Sequence, residues 1–385
     1  MTAPSDQLHF LPMAKPGMGR ITFALPSPDQ PFVRGTLTTP VGEVPQVGAG
    51  LNLRDRLGSW LARWNIGRMR FTVEPGLYAL GRPDEHSPVL VSANYKMSFD
   101  VLRSALPGRD LWILVLDTKG INVWCAAGKG TFGTLELLDR IQASRLEEVV
   151  SHRRLIVPQL GAPGLAAHEI RRHSGFRVIY GPVMASDLPR FLDNGCRAEP
   201  EMRVKDFPLS ERLVLVPVEV MQALRVGVPL ILVLLAVSGL ARNLAYGRAV
   251  ELHGLPMALA VLAGILAGTV MTPLLLPWIP GRFFSGKGVL TGLVCFAGIF
   301  GFLRHRWPEQ GLMESMALLL VTLAIASWFA MAFTGATTYT SPGGVRREML
   351  RAIPLQAAAL IIGLGLWHVR DRLSAPGVCA AAGQG

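Results

Sequence analysis

The stretch Asn122–Thr134, reading NVWCAAGKGTFGT, concentrates the residues of this chain best suited to chemistry. Trp124 and Cys125 stand side by side, Ala126 and Ala127 follow, and Gly128, Gly130 and Gly133 come close behind. A phosphate-binding P-loop does not fit. The first glycine of a G-x-x-x-x-G-K-[ST] pattern is replaced by Val123, and its hydroxyl residue by Gly130. A dinucleotide fingerprint fits poorly too, because its downstream acidic residue has no clear counterpart. Three readings of Cys125 remain open on spacing alone. It is a nucleophilic or redox thiol, for which the neighbouring cation Lys129 favours the thiolate; it is a soft metal ligand; or it is a buried structural cysteine.

The remaining cysteines, Cys196, Cys295 and Cys379, are scattered and form no CxxC pair. A zinc ribbon or an iron–sulfur cluster needs gathered thiolates, so neither is expected. The chain carries a formal charge of +11. Nucleic-acid binding is not inferred from it, because the arginines are dispersed and many flank apolar segments, where anionic lipid headgroups explain them. No signal peptide is visible, so the first half is expected in the cytoplasm, where a free thiol persists.

The elements that position Cys125 must come from residues 51–210. Short apolar runs there alternate with helical patterns: 88–92 with 99–104, 111–117 with 135–141, 155–158 with 165–172, and 177–180 with 187–193. That alternation predicts a Rossmann-like α/β domain with a mostly parallel sheet, whose ligands sit at the carboxyl ends of strands. Residues 1–50, rich in Pro, Gly, Ser and Thr, read as an extended N-terminal arm. From 211 to 372 the character changes to an all-α transmembrane domain of five helices, with apolar stretches near 217–241, 256–279, 287–303, 312–334 and 353–369. Residues 373–385 are a tail. The basic residues weakly favour an inner-membrane, multi-pass topology with the α/β domain on the cytoplasmic side. Pro273 and Pro277 are expected to kink the second span, and Arg225 and Glu314 to snorkel from span ends.

The full segment Asn122–Thr134 resembles the signature of the HgcA family, the corrinoid proteins of anaerobic mercury methylation. The blocks VPQLGAPGLAAH (157–168) and GFRVIYGPVMASDLPRFL (175–192) resemble later blocks of that family, which is related to corrinoid domains of acetyl-CoA pathway proteins. The layout of a soluble domain followed by five spans matches as well. The resemblance implies that Cys125 is the lower axial ligand of cobalt in a base-off, cobalamin-type corrinoid that is methylated in turnover. It implies that Asn122, Val123, Trp124, Ala126, Ala127, Gly128, Lys129 and Gly130 cap the lower corrin face. Thr131, Phe132 and Thr134 would open the supporting helix, a threonine serving as its N-cap. Asp117, Thr118, Gln159, Gly161 and Gly181, in strand-end loops, are candidates for contacting corrin amides or the nucleotide tail. His168 and Glu169 are assigned no role.

The activity implied is corrinoid-dependent methyl transfer to Hg(II), giving methylmercury; the alternative is a membrane corrinoid methyltransferase with another physiological acceptor. A thiolate suits the task because it is a soft, strongly donating ligand that stabilises the oxidised metal left when the methyl group departs. The chain has no cluster motif of its own. The resemblance therefore names a separate reductant, a ferredoxin-like partner (HgcB) with two 4Fe-4S clusters, and a methyl donor system based on methyltetrahydrofolate.

Overall fold

A computed structural model describes residues 25–239, 245–308, 310–337 and 342–373. The start of the expected arm (1–24), nearly all of the tail, Cys379 and Arg242 lie outside the described residues. The chain divides into two compact units: residues up to 59 with 69–204, and residues 60–68 with those from 205 on.

The first unit is a seven-stranded sheet in the order β1-β2-β3-β5-β4-β6-β7. The strands are β1 (Val33–Thr39), β2 (Gly42–Val47), β3 (Gly76–Leu80), β4 (Val89–Ala93), β5 (Leu111–Leu116), β6 (Arg154–Val157) and β7 (Arg177–Tyr180). The pairs β2–β3, β4–β5, β4–β6 and β6–β7 are parallel; β1–β2 and β3–β5 are antiparallel. Every residue of β4 and β5 is buried, as expected of central strands covered on both faces, where a continuous apolar run replaces alternation.

The helices are α1 (Leu53–Arg63), α2 (Lys96–Ser104), α3 (Val123–Lys129), α4 (Thr134–Ala143), α5 (Leu146–Val149), α6 (Ala167–Ser174) and α7 (Leu188–Asp193). Side chains alternate across the sheet and sort these helices into two layers. Val89, Val91, Leu114 and Val157 pack with Leu137 and Ile141 of α4 and Ile170 of α6. Leu90, Ile113 and Ile156 pack with Phe99 of α2 and Phe191 of α7 on the other face. Chain order reverses at β4: β5 lies on one side of it and β6 on the other. That reversal opens a crevice at the carboxyl ends of β4 and β6.

The sheet corrects the expected arm. Residues 33–47 are not an appendage but its first two strands, so the boundary expected at residue 51 moves to the start of β1. Pro40, Pro45, Gly35 and Gly42 disguise them in the sequence. The turn is closed by the Thr39 hydroxyl, which donates to the Gly42 carbonyl at 2.7 Å, and Gly42 takes φ 111°, open to glycine.

A buried ion cluster fixes α1 against α2. Lys96 Nζ lies 2.8 Å from Asp55 and 2.6 Å from Asp100, and Arg103 reaches the same two carboxylates at 2.7 and 2.8 Å. Arg103 also donates to the carbonyls of Gly48 and Gly50. Two cations and two anions cancel, which is what permits four buried charges.

Among the described residues, the second unit holds five helices long and apolar enough to cross a membrane: Leu209–Ser238, Tyr246–Leu275, Phe284–Arg306, Leu312–Gly335 and Gly343–Val369. Small residues let their backbones approach. A Cβ on Gly268 or Gly288 would stand 2.7 or 2.5 Å from the Ala326 carbonyl oxygen. Pro273 follows a turn, Ala267–Met271, that widens to a π-helix; the helix stops at Leu275, before Pro277. Glu314 does not snorkel. It is buried against His253, whose Nδ1 lies 2.9 Å from its carboxylate. The partner sits on another helix, which spacing along one helix does not reveal. Arg225 lies well inside the first long helix and donates to the Asn65 carbonyl at 3.0 Å.

Candidate functional site

The motif Asn122–Gly130 folds as one short helix, α3, directly after β5. Asn122 is its N-cap: its side-chain oxygen accepts the Cys125 N–H at 2.9 Å. Gly130 closes it in the left-handed conformation at φ 80°. The Thr131 and Phe132 N–H groups both turn back to the Ala126 carbonyl, at 3.0 and 3.1 Å. The glycine-rich tail of the motif is therefore a helix stop followed by a tight return, not a phosphate cradle.

Helical periodicity divides the motif into two faces. Ala126 and Ala127 are buried in the core, while Gly128, Lys129 and Gly130 are exposed and Cys125 and Trp124 are half-buried. Cys125, Gly128 and Lys129 share the outer face by their spacing. Beside the Gly128 Cα there is open space, so nothing stands up next to the thiol on that side. The outer face thus offers a sulfur with open space on its Gly128 side and the exposed Lys129 one turn on.

The inner face is pressed onto the turn Gln159–Gly164. A Cβ on Gly164 would lie 2.1 Å from the Phe132 carbonyl oxygen and 3.1 Å from the Ala127 Cα; one on Gly161 would lie 2.5 Å from the Phe132 ring. Several expected contact residues lie inside the fold: Ala126, Ala127, Phe132, Thr118 and Gly161 are buried. Close packing around the turn accounts for the small size of Ala127 and Gly161. The expected threonine N-cap is corrected: Gly133 holds that position in α4, and the Thr134 hydroxyl instead accepts the Ala166 N–H at 2.8 Å.

The loop entering α3 is held by a residue that no motif pointed to. Asn94, at the end of β4, accepts through Oδ1 from the Thr118 N–H (3.1 Å), the Thr118 hydroxyl (2.8 Å) and the Gly120 N–H (3.0 Å). Its amide nitrogen donates to Asp117 at 3.3 Å. The Asp117 N–H is in turn received by Glu136 of α4 at 2.7 Å. Burial pushes the Asp117 carboxyl up, but hydrogen bonds from the Lys119 side chain and backbone, with the charges of Lys119 and Arg140, hold it below the usual carboxylate range. The only sequence signal for Asn94 is its place at a strand's carboxyl end.

A cavity of about 350 Å³ opens at the crevice between β4 and β6. Its walls include Leu90, Val91 and Ser92 of β4, Ile156 and Val157 of β6, Val101 of α2, Asn122, Val123 and Trp124 of the motif, and Gly181, Met184 and Ala185 after β7. It is mostly apolar, with Ser92, Ser98 and Asn122 among the few polar groups. Of the residues expected at the site, Asn122, Val123, Trp124 and Gly181 meet here. Gln159 does not line it; its side-chain oxygen accepts from Arg203 at 2.6 Å. Among the described residues no group of three or more His, Cys, Asp or Glu side chains is gathered to hold a metal ion. A metal at Cys125 would therefore bring most of its ligands with it.

Residues 67–192 match the family model described as CO dehydrogenase/acetyl-CoA synthase delta subunit. Curated relatives include the acetyl-CoA decarbonylase/synthase complex subunit gamma of Methanopyrus kandleri, 35% identical over 123 residues, which cover 31% of this chain and 26% of that one. The subunit of the same name from Methanothermobacter thermautotrophicus is 35% identical over 123 residues, with the same coverage of 31% and 26%. That of Archaeoglobus fulgidus is 31% identical over 136 residues, covering 34% of this chain and 28% of its own. The chain thus spans about a quarter of the length of these relatives. The family-model match takes in β3–β7 together with α3 and the cavity, and stops before the five long helices.

Proposed function

We propose that the α/β unit binds a corrinoid whose cobalt Cys125 would hold, and that the chain transfers a methyl group to Hg(II). The observation that carries the reading is the pairing of a half-buried thiol on a glycine-bordered face with an apolar cavity next to it. The residues fit such a group. A planar macrocycle needs a wall without projecting side chains, and Gly128 leaves that wall open beside Cys125. A cavity of about 350 Å³ with apolar sides and few polar groups suits a planar nucleotide base swung away from the metal. Similarity to acetyl-CoA decarbonylase/synthase subunits over the same residues supports the α/β unit as a carrier in one-carbon chemistry.

When bound, the corrinoid supplies a cobalt centre able to carry a methyl group. The chain contributes the rest. Cys125 would hold the metal through a soft, strongly donating sulfur, the donor type that suits delivery of a methyl group with its bonding electron pair to a soft cation such as Hg(II). Asn122 fixes the height of Cys125 by holding its backbone N–H. Asn94 and Glu136 fix the loop from which the helix starts. Trp124 and Val123 contribute part of the cavity's apolar wall. Electrons for the next cycle come from a separate protein with two 4Fe-4S clusters, and the methyl group from a methyltetrahydrofolate-based donor. On this reading the chain is a multi-pass protein of the cytoplasmic membrane with its α/β unit on the cytoplasmic side, and the five long apolar helices support the membrane part of it.

A second reading, corrinoid methyl transfer to another acceptor, is favoured by the relatives, whose name concerns acetyl-CoA rather than mercury. One experiment separates the outcomes. Purified chain and its Cys125→Ala variant are compared by absorption spectrum and by methyl transfer to Hg(II) and to a thiol acceptor. Thiolate-dependent cobalt bands with methylmercury formation support the first reading. The same bands with transfer only to the other acceptor support the second. A wild-type chain that binds no corrinoid overturns both.

A further inference from the structure

Helix α1 is built inside out. Amphipathic helices on globular domains turn their apolar stripe to the core. Here the buried positions are Asp55, held in the ion cluster with Lys96 and Arg103, and Ala62. The apolar residues Leu53, Leu57 and Trp60 follow one another at helical spacing and face outward, 85%, 57% and 55% exposed. Trp64, one turn further, continues the line and packs its ring 5.9 Å from that of Trp60. Arg56 and Arg63 border the stripe on one side and Arg54 on the other, all exposed.

We propose that this stripe lies in the headgroup layer of an anionic bilayer, so that α1 is an interfacial helix. The inference rests on the reading of the five long helices as membrane spans. An apolar line with tryptophan, bordered by arginines, is the composition that settles at a lipid surface: the rings and leucines enter the acyl boundary while the guanidinium groups meet phosphates. Continuity supports the same occupant. The segment just after α1 is tied to the first long helix, where Arg225 donates to the Asn65 carbonyl at 3.0 Å. Trp60 and Trp64 belong to the same compact unit as that helix, and on the membrane reading lipid is the neighbour available to their rings. The helix also lies ahead of residues 67–192, the part matched by the family model, and thus outside the shared carrier domain. The ion cluster explains how a greasy helix keeps its apolar side outward: Asp55 anchors the inner side to Lys96 and Arg103.

The test uses the full chain in nanodiscs of phosphatidylcholine with phosphatidylglycerol. A spin label is placed at position 57 (Leu57→Cys) with the four native cysteines changed to serine. Parallel labels at Leu232→Cys, on the first long helix, and Glu85→Cys, in an exposed loop, serve as lipid and water references. The expected result is that the position 57 label loses most of the collisions with a water-soluble nickel chelate seen at position 85 and gains collisions with oxygen. Arg54→Glu, Arg56→Glu and Arg63→Glu together should return it toward the water reference. To keep the test independent of the cysteine replacements, a photo-crosslinking residue at position 57 of the chain with native cysteines provides a second measurement, with lipid adducts expected. A water-like label at 57 beside a lipid-embedded label at 232 overturns the interfacial helix alone. Adducts with protein in place of lipid overturn it in favour of a protein partner. A water-like label at 232 overturns the membrane reading and this inference with it.

Discussion

The side-chain oxygen of Asn122 accepts the backbone N–H of Cys125 at 2.9 Å, so the residue that starts the cap helix also sets where the thiol stands. Asn122→Ala removes this cap at a cost of about 0.5–2 kcal/mol to the local helix. The expected outcome is weaker sulfur ligation of cobalt at nearly unchanged global stability. Asn122→Asp or Asn122→Ser, which keep an acceptor, should restore it. Absorption spectra and thermal melts of the loaded chain check both parts.

Gly128 and Gly164 separate the site from its scaffold. A Cβ on Gly128 meets open space, and alanine in a helix interior is favoured over glycine by up to about 1 kcal/mol, so Gly128→Ala should leave stability equal or higher. It should nevertheless impair corrinoid binding, because a methyl group then rises from the wall beside Cys125. Gly164→Ala forces a Cβ against the Phe132 carbonyl and should cost about 1–3 kcal/mol in stability before any ligand is considered. Denaturation midpoints and corrinoid titrations of the two variants should move in opposite patterns.

Filling the crevice tests the cavity's role. Ala185→Trp places an indole into the space lined by Leu90, Ile156 and Gly181. Corrinoid affinity should fall about tenfold or more, equivalent to ~1.4 kcal/mol, while alkylation of Cys125 in the ligand-free chain proceeds at the wild-type rate. Unchanged affinity would place the nucleotide tail elsewhere.

The ion cluster is a stability element with no role at the thiol. Arg103→Met leaves two buried carboxylates facing one lysine, and removing one partner from such a set costs about 3–5 kcal/mol. The variant should unfold its α/β unit at markedly lower denaturant, as read by the fluorescence of buried Trp112. Wild-type stability would show the cluster to be dispensable.

Asp117 gives the site an acid limit. Its folded-state carboxyl is held below the usual range, so its contribution is present above the unfolded value, about 3.9, and is lost as pH falls through the folded one. The loop 117–120 should therefore stay closed from about pH 8 down to about pH 5 and loosen only in stronger acid. Proteolytic sensitivity or hydrogen exchange of this loop across pH checks the sign. Asp117→Asn should remove the acid transition, because the amide does not titrate.

The sequence by itself determined the class of the protein. Buried strands such as LWILVLD can only be central, because an apolar run with no polar face needs cover on both sides. The five long apolar helices follow from length and composition for the same reason. The motif around Cys125 was legible because its residue types are rare in combination and lie close together in the chain. What the sequence did not carry is direction. That Ala126 and Ala127 point inward while Cys125 and Gly128 point outward depends on which face of α3 the turn Gln159–Gly164 claims. The strands at 33–47 were hidden because prolines and glycines read as loop until a neighbouring strand supplies hydrogen-bond partners. Asn94 and Glu136 hold the thiol's loop from positions far away in sequence, and Glu314 finds His253 on another helix. Such contacts are made between elements, and tertiary packing alone brings their atoms within hydrogen-bond distance.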